Sequence, residues 1–525
     1  MEPPKTNRPH GGVRGANLSR SSILFGGPFG RIFRAVPPAD FGPDDKTSLQ
    51  NLGALAQAMT SAADPNDPKD GPDGEEGGIP AAYTYFGQFI DHDLTFDPAS
   101  SLQKQNDPDA LVDFRTPQFD LDNVYGRGPD DQPYMYNNDG LTFVLGSELT
   151  GAPQVNSGAK DLQRNSQTPA RALIGDPRND ENVIVSQLQG LWHRFHNKIA
   201  ADKPGWPFQR VQQEVRFHYQ WILLHDFLPA VVAREVLDQV LPVGKDKKLI
   251  IDKSNLKFFH FRDSAFMPLE FSVAAYRFGH SMVRPGYRLN DTAGPLPIFK
   301  LSDDAMDLRG FKAPHPNWAL DWRRFIDLVP LDYGTLVDNP DQNDPKNKNR
   351  LQLAYKIDTS LVNPLGVLPA SVAVNPSVLA QRNLERGWRM RLPSGQDIAR
   401  AMGLIPLTDD QIQIGKFTGN QADIVSKIAK VGDGKSFVGN CPLWTYVLAE
   451  TLESTVTVKT LEGDKPINTR KLGPVGGRIV AKTFVGLLLA DSSSYVSLNP
   501  LWEPTDLKLN GVFGLRELIQ RALEG

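Results

Sequence analysis

The sequence predicts a mainly α-helical protein: one large helical domain with little β structure, preceded by a long irregular N-terminal arm. Three observations carry that expectation. Apolar residues recur at helical spacing in several long stretches after residue 180, whereas alternating strand patterns are scarce and short. The first 80 residues are rich in Gly, Pro and Asp and only weakly periodic. Third, no period of about 20–50 residues recurs, which argues against a solenoid. Length alone would allow about three domains, but the pattern favours an arm over 1–79 and a single domain over 80–525.

Taken in order, the arm ends in "DPNDPKDGPDGEEGG" (64–78), which reads as a solvated acidic loop. Prolines fall where an EF-hand needs ligands and no Glu closes the loop, so it is not a calcium loop of that kind. "NDENVIVSQLQGLWHRFHNKIA" (179–200) places Val183, Leu188, Leu191, Phe195 and Ile199 near helical spacing. "FQRVQQEVRFHYQWILLHDFLPAVV" (208–232) continues the pattern at greater length. Segments 269–283, 376–390 and 476–491 are further helix candidates.

Composition excludes several functions. With 40% hydrophobic and 22% charged residues and a net charge of −4, there is no basic surface for non-specific nucleic-acid binding. The longest apolar candidate, "TFVGLLLA" (483–490), is far below the roughly 20 residues of a membrane helix. The first 30 residues carry no apolar leader core or cleavage site, so no classical signal peptide is expected. The expectation is cytoplasmic residence, export by a non-classical route, or a chain that begins after processing. One cysteine, Cys441, rules out an internal disulfide. That fits a reducing compartment without excluding an extracellular one.

The polar residues are more telling. "YFGQFIDHDLTFDP" (85–98) packs Gln88, Asp91, His92 and Asp93 among aromatic and aliphatic neighbours. Such groups persist in apolar surroundings when paired or bound to a metal or ligand. On a helix Gln88 and His92 line up with Asp91 beside them, and Asp93 points elsewhere. One face could serve a cofactor and the other a cation; a partly exposed helix with a capped end is the plainer alternative. In "RTPQFDLDNVYG" (115–126), Thr116, Gln118, Asp120 and Asp122 alternate. On an extended loop they converge on one side as hard oxygen ligands suited to calcium, with Asp93 a fifth. A solvated edge strand has the same pattern.

"GDPRNDEN" (175–182) sets Arg178 and Glu181 at i, i+3 on one helical face, where the bland reading is a surface ion pair of little worth. "HRFH" (193–196) lacks the companions of a zinc set, so both histidines read as structural. His280 follows an amphipathic stretch with Gly279 beside it, leaving room for a flat ligand. Asn383 and Arg386 share a helical face.

In this order the segments resemble the animal-type haem peroxidases of the peroxidase–cyclooxygenase superfamily, bacterial branch. "GQFIDHDLTF", "RTPQFDLDNVYG", "GDPRNDEN…FHN", "YRFGH", "RNLERG" and "LGPVGGRIVAKTFVGLL" carry the resemblance, from about residue 80 to about 500. It implies His92 as distal histidine, Arg178 as distal arginine and Gln88 as the distal glutamine holding water and halide. It implies His280 as iron ligand, Asn383 as the partner of its other ring nitrogen, and Arg386 as partner of a haem propionate. Asp91 and Glu181 fall where the family ester-links haem b. Asp93, Thr116, Gln118 (through its carbonyl), Asp120 and Asp122 fall on its calcium shell.

The resemblance further implies reduction of hydrogen peroxide through a ferryl intermediate that oxidises halide, thiocyanate or phenolic donors, small anionic or aromatic partners. Buried as unpaired anions, Asp91 and Glu181 would be costly, and ester formation removes that cost. Where one mammalian enzyme has a third link through methionine, this chain has Asn182, so two links and weak chloride oxidation are expected. A fatty-acid dioxygenase is the nearest rival. It places a tyrosine three residues before the proximal histidine, where this chain has Arg277. A non-catalytic adhesion or matrix protein needs none of His92, Arg178 and His280.

Overall fold

The computed structural model describes residues 27–61, 69–95, 112–113, 115–261, 265–301, 306–335, 344–416, 418, 423–508 and 511–524. Phe96 and Asp97 of the first polar stretch, residues 64–68 of the acidic loop and residues 1–26 lie outside them. Helix accounts for 38% and strand for 14%, so the protein is mainly α as the sequence predicts.

The first helix, α1 (Asp45–Ala58), lies in the stretch read as arm. Asp44 caps it, its carboxylate accepting the Thr47 N–H at 2.7 Å, which satisfies one of the amides that every helix start leaves open. Leu52, Leu55 and Ala56 bury its inner face, which packs on the later helix Leu379–Arg389. The weak periodicity of residues 1–80 thus conceals one docked helix. The acidic loop also departs from expectation: Asp70, Glu75 and Glu76 are buried. Their partners, Arg284, Arg288 and Arg350 among them, come from more than 200 residues away.

At the centre, α2 (Ala82–Leu94) packs against α3 (Val183–Asp202). Phe89 stacks on Trp192 with centroids 5.4 Å apart and planes 9° off parallel, and Phe86 and Tyr219 extend the group. Each such pair adds about 0.5–1.5 kcal/mol beyond area burial. α4 (Phe208–Ile222) runs beside α3 and continues through a π turn, Leu223–Phe227, into Leu228–Val231. The single long helix expected over 208–232 is therefore widened in the middle. α5 (Leu379–Arg389) carries Asn383. In α6 (Pro474–Ala490), Phe484 meets Phe119, Phe227, Phe271 and Tyr276. The C-terminal α7 (Leu515–Leu523) returns to α3.

The segment before His280 is not the regular helix its periodicity suggests. It forms a π turn, Glu270–Ala274, followed by a 3-10 stretch, Ala275–His280. Such breaks recur at functional sites because they re-aim side chains. Among the described residues strands are short apart from one hairpin, Leu452–Thr460 with Gly463–Lys471, antiparallel and in continuous register. Its alternating exposure is visible in "TVTVK", a strand signal too local to shift the helical reading. No helix among the described residues is long and apolar enough to cross a membrane.

Candidate active site

A cavity of about 720 Å³ opens between α2 and the 3-10 stretch, within the size range of cofactor pockets. Gln88, Asp91 and His92 line one wall; Tyr276, Arg277, Gly279 and His280 line the other; Glu181 and Asn182 close a side. A side chain at Gly279 would meet nothing within 4 Å, so that position opens onto free space.

The two histidines are each bonded through Nδ1 to an asparagine side chain. Asn383 lies 2.8 Å from His280 Nδ1 through its amide nitrogen. Its oxygen accepts from Arg277 at 2.7 Å. Burial, then Arg277, pushes the His280 imidazole down to about 3, so it is neutral; a ligand lone pair at Nε2 requires the proton on Nδ1, and hence the Asn383 oxygen rather than its N–H turned to the ring. Burial brings Arg277 itself down to about 10, with Asp91 opposing and Arg386 and Arg382 reinforcing. Trp444 donates its indole N–H to the Arg277 carbonyl at 3.2 Å, fixing the turn from beneath. Arg386 is half-buried on α5 and is not among the cavity-lining residues.

Across the cavity His92 Nδ1 lies 2.7 Å from Asn179 Oδ1, and His92 Nε2 is 3.5 Å from Glu181. Gln88 donates to the same Glu181 oxygen at 2.5 Å. Burial works against the Glu181 charge, but His92, Arg178 and Gln88 hold its carboxyl below the usual range. Glu181 is therefore a partnered anion, which corrects the expectation of an unpaired one. Asp91 accepts from Thr95 Oγ1 at 3.2 Å.

Arg178 departs most from expectation. Residues Pro177–Asp180 form a 3-10 turn that Glu181 ends, so Arg178 and Glu181 do not share an α-helical face. Arg178 is not among the residues lining the cavity. Its guanidinium folds back onto Asp176 at 2.9 Å and donates to the carbonyls of His92 (3.1 Å) and Thr95 (2.6 Å). Burial opposes its charge, yet Asp176 keeps the guanidinium firmly protonated. Sequence reasoning missed Asp176, the shared anchor of Arg178 and Arg115. It is fully buried, and the arginines hold it far below the carboxylate range against that burial.

Beneath α2, oxygens of Asp93, Asp120 and Asp122 lie within 4.8 Å of one another. Asp93 is fully buried and neither oxygen accepts a hydrogen bond of ordinary geometry. Burial, then Asp120 and Asp122, pushes its carboxyl well up. Thr116, Gln118 and Asp120 are half-buried and alternate with buried Arg115, Pro117 and Phe119, as the sequence predicts. Thr116 Oγ1 donates to Asp120 at 2.7 Å. The "HRFH" histidines are structural: His196 meets the Tyr125 hydroxyl and the Leu141 carbonyl, and His193 meets Gln189.

A cavity of this size in a helical protein, walled by two histidines each bonded through Nδ1 to an asparagine side chain, suits a metal macrocycle. The animal haem peroxidase family model matches residues 101–309, which include Arg178, Glu181 and His280. Human thyroid peroxidase is 28% identical over 53% of this chain and 27% of its own length. Drosophila melanogaster peroxidasin is 26% identical over 48% of this chain and 15% of its own length. The chain thus spans under a third of the length of these relatives. Among solved structures, peroxidase A from Dictyostelium discoideum superposes with a TM-score of 0.52 at 16% identity, covering 90% of this chain and 89% of that one. A fatty acid alpha-dioxygenase from Arabidopsis thaliana gives 0.50 at 15% identity, covering 95% and 77%. Over residues 101–309 the chain is therefore similar to the animal haem peroxidases.

Proposed function

We propose that this chain is a haem peroxidase that reduces hydrogen peroxide and oxidises halide, thiocyanate or small phenolic donors. The observation that carries the reading is the cavity with His280, backed by Asn383, facing His92, backed by Asn179. Haem, when bound to His280, supplies the redox chemistry of O–O cleavage. His92 takes a proton from peroxide at Nε2 and returns it to the departing oxygen, general acid–base work of about 10²–10⁴-fold. Arg178 holds the His92 carbonyl and supplies a permanent positive charge behind the distal wall. Gln88 orients water or halide beside Glu181.

Asp91 and Glu181 are the residues we assign to two haem ester links, with Asn182 excluding a third. Arg386 is assigned to a propionate. Asp93, Thr116, Gln118, Asp120 and Asp122 are assigned to a structural calcium ion, on the support of the convergence of the Asp93, Asp120 and Asp122 carboxylates and of the two buried Asp93 oxygens, which accept no hydrogen bond of ordinary geometry.

Tyr276 lines the cavity and gives one reason to weigh fatty-acid oxygenation. Its hydroxyl, however, donates to the Gly87 carbonyl at 3.2 Å and its ring stacks on Phe271, so the group is committed to the wall. A steady-state screen of the haem-loaded protein decides: peroxide with bromide, iodide, thiocyanate and phenols, against a fatty acid with oxygen. Turnover only in the last arm would reject the peroxidase reading.

A further inference from the structure

The nitrogen of His92 that faces away from the cavity begins a chain of buried polar groups. Asn179 Oδ1 lies 2.7 Å from His92 Nδ1. Asn179 Nδ2 donates to Gln189 Oε1 at 2.8 Å. Gln189 Nε2 lies 3.0 Å from His193 Nε2. All four side chains are buried, Asn179 and Gln189 completely. We propose that Asn179, Gln189 and His193 are positioning residues that hold His92 as its Nδ1–H tautomer and leave Nε2 free to accept a proton in the cavity. The proposal rests on the reading of His92 as the proton acceptor.

A carboxamide nitrogen only donates and its oxygen only accepts. His193 is neutral, burial pushing its imidazole down to about 3, so it can offer a lone pair at Nε2. Gln189 donates to that lone pair, which turns its oxygen to Asn179. Asn179 must then donate to Gln189 and present its own oxygen to His92. An oxygen there demands a proton on Nδ1. Reversing any single link would set two donors or two acceptors face to face in a buried place, which is costly. Reversing the whole chain would put the proton on Nε2, and that state is detectable.

The far end is rigid. Gln189 and His193 stand four residues apart on α3, hence on one face. The His193 ring stacks on Phe143 with centroids 4.3 Å apart and planes 8° off parallel. Arg178 and Asn179 are consecutive, so one turn grips His92 twice: Arg178 by its carbonyl, Asn179 by its ring. Which nitrogen of a histidine is protonated is set by the bond the other makes.

The test uses the full haem-loaded chain. Asn179→Leu removes the acceptor and Asn179→Asp keeps one. Histidine ¹⁵N spectra of the reduced, carbon monoxide-bound diamagnetic form report which ring nitrogen of His92 carries the proton, with His92→Gln identifying the signals. The expected result is protonated Nδ1 in the parent and in Asn179→Asp, and a shifted or mixed tautomer in Asn179→Leu. With it, the step with peroxide slows by about 10-fold or more in Asn179→Leu, as wrong tautomers do elsewhere. Asn179→Asp restores it while the haem spectrum stays the same. A proton on Nε2 in the parent overturns the proposal, as does a parent-like tautomer and rate in Asn179→Leu. Should that variant not fold, Gln189→Leu, which leaves Asn179 without its anchor, is read the same way. A parent inert to peroxide would sink the functional reading, and the tautomer measurement would still judge this one.

Discussion

Two groups of carboxylates, buried or half-buried, are treated in opposite ways. Glu76 lies between Arg284 and Arg350, bonded to both. Despite full burial its carboxyl is held below the ordinary range by those two arginines. Asp70 pairs with Arg288 through two bonds, 2.8 and 2.6 Å. In the other group Asp93, Asp120 and Asp122 converge. Arg115 is shared between Asp122 and Asp176, and Arg216 turns to the Asp120 carbonyl. The first cluster is complete with protein charges alone. The second has the form of a site that a cation completes, because clustered carboxylates in low dielectric repel one another unless a positive charge joins them.

The largest effect should come from the completed cluster. Glu76→Gln strands two arginines, and breaking a buried pair costs about 3–5 kcal/mol. Urea unfolding should show a loss of that order; a change below about 1 kcal/mol would mean the cluster behaves as if at the surface.

Next comes the incomplete cluster. Calcium at about a hundredfold over its dissociation constant should stabilise the fold by about 2.7 kcal/mol, read as a rise in melting temperature that a chelator reverses. Asp93→Asn should abolish that calcium dependence. Equal melting with and without calcium in metal-stripped parent would remove the site and erase the contrast.

The pH-dependent effects come last, and their signs differ. Glu76 has a depressed pKa, so its contribution is present above about 4.5 and is lost as pH falls through its folded value. Glu450 is the reverse case. Burial pushes it up to about 8, although its oxygen accepts from the Val475 and Gly476 amides at the start of α6. Its contribution is full below about 4.5 and is lost as pH rises towards 8. Glu450→Gln should flatten that alkaline limb in pH-dependent unfolding and leave the acid limb in place; an unchanged alkaline limb would reassign it.

Local pattern made much of the site legible. Gln88, Asp91 and His92 reach the cavity and Asp93 turns below it because helical spacing alone decides which face each occupies. Thr116, Gln118 and Asp120 keep the alternation, whereas Asp122 follows left-handed Leu121 into a helical turn, and the oxygens that converge are those of Asp93, Asp120 and Asp122. What stayed hidden depends on chain separation. Arg115 finds Asp176 across 61 positions, His92 finds Asn179 across 87, and Arg277 finds Asn383 across 106. Periodicity says nothing of such pairs. Arg178 was visible as a residue but not as a geometry, since the Asp176 and Pro177 turn sends its side chain back towards the end of α2. In the same way the buried Asp70 and Glu76 looked solvated, because their arginines lie 200 residues further on.

The central claim is that His280 and His92 divide cofactor binding from proton transfer. Stopped-flow mixing of haem-loaded protein with peroxide, comparing parent, His92→Ala and His280→Ala, tests it most directly. The account predicts that His280→Ala loses the histidine-ligated haem spectrum. His92→Ala should keep that spectrum while its reaction with peroxide slows by on the order of 10²-fold or more. A His92→Ala variant that reacts at the parent rate, or a His280→Ala variant with an unchanged haem spectrum, would contradict it.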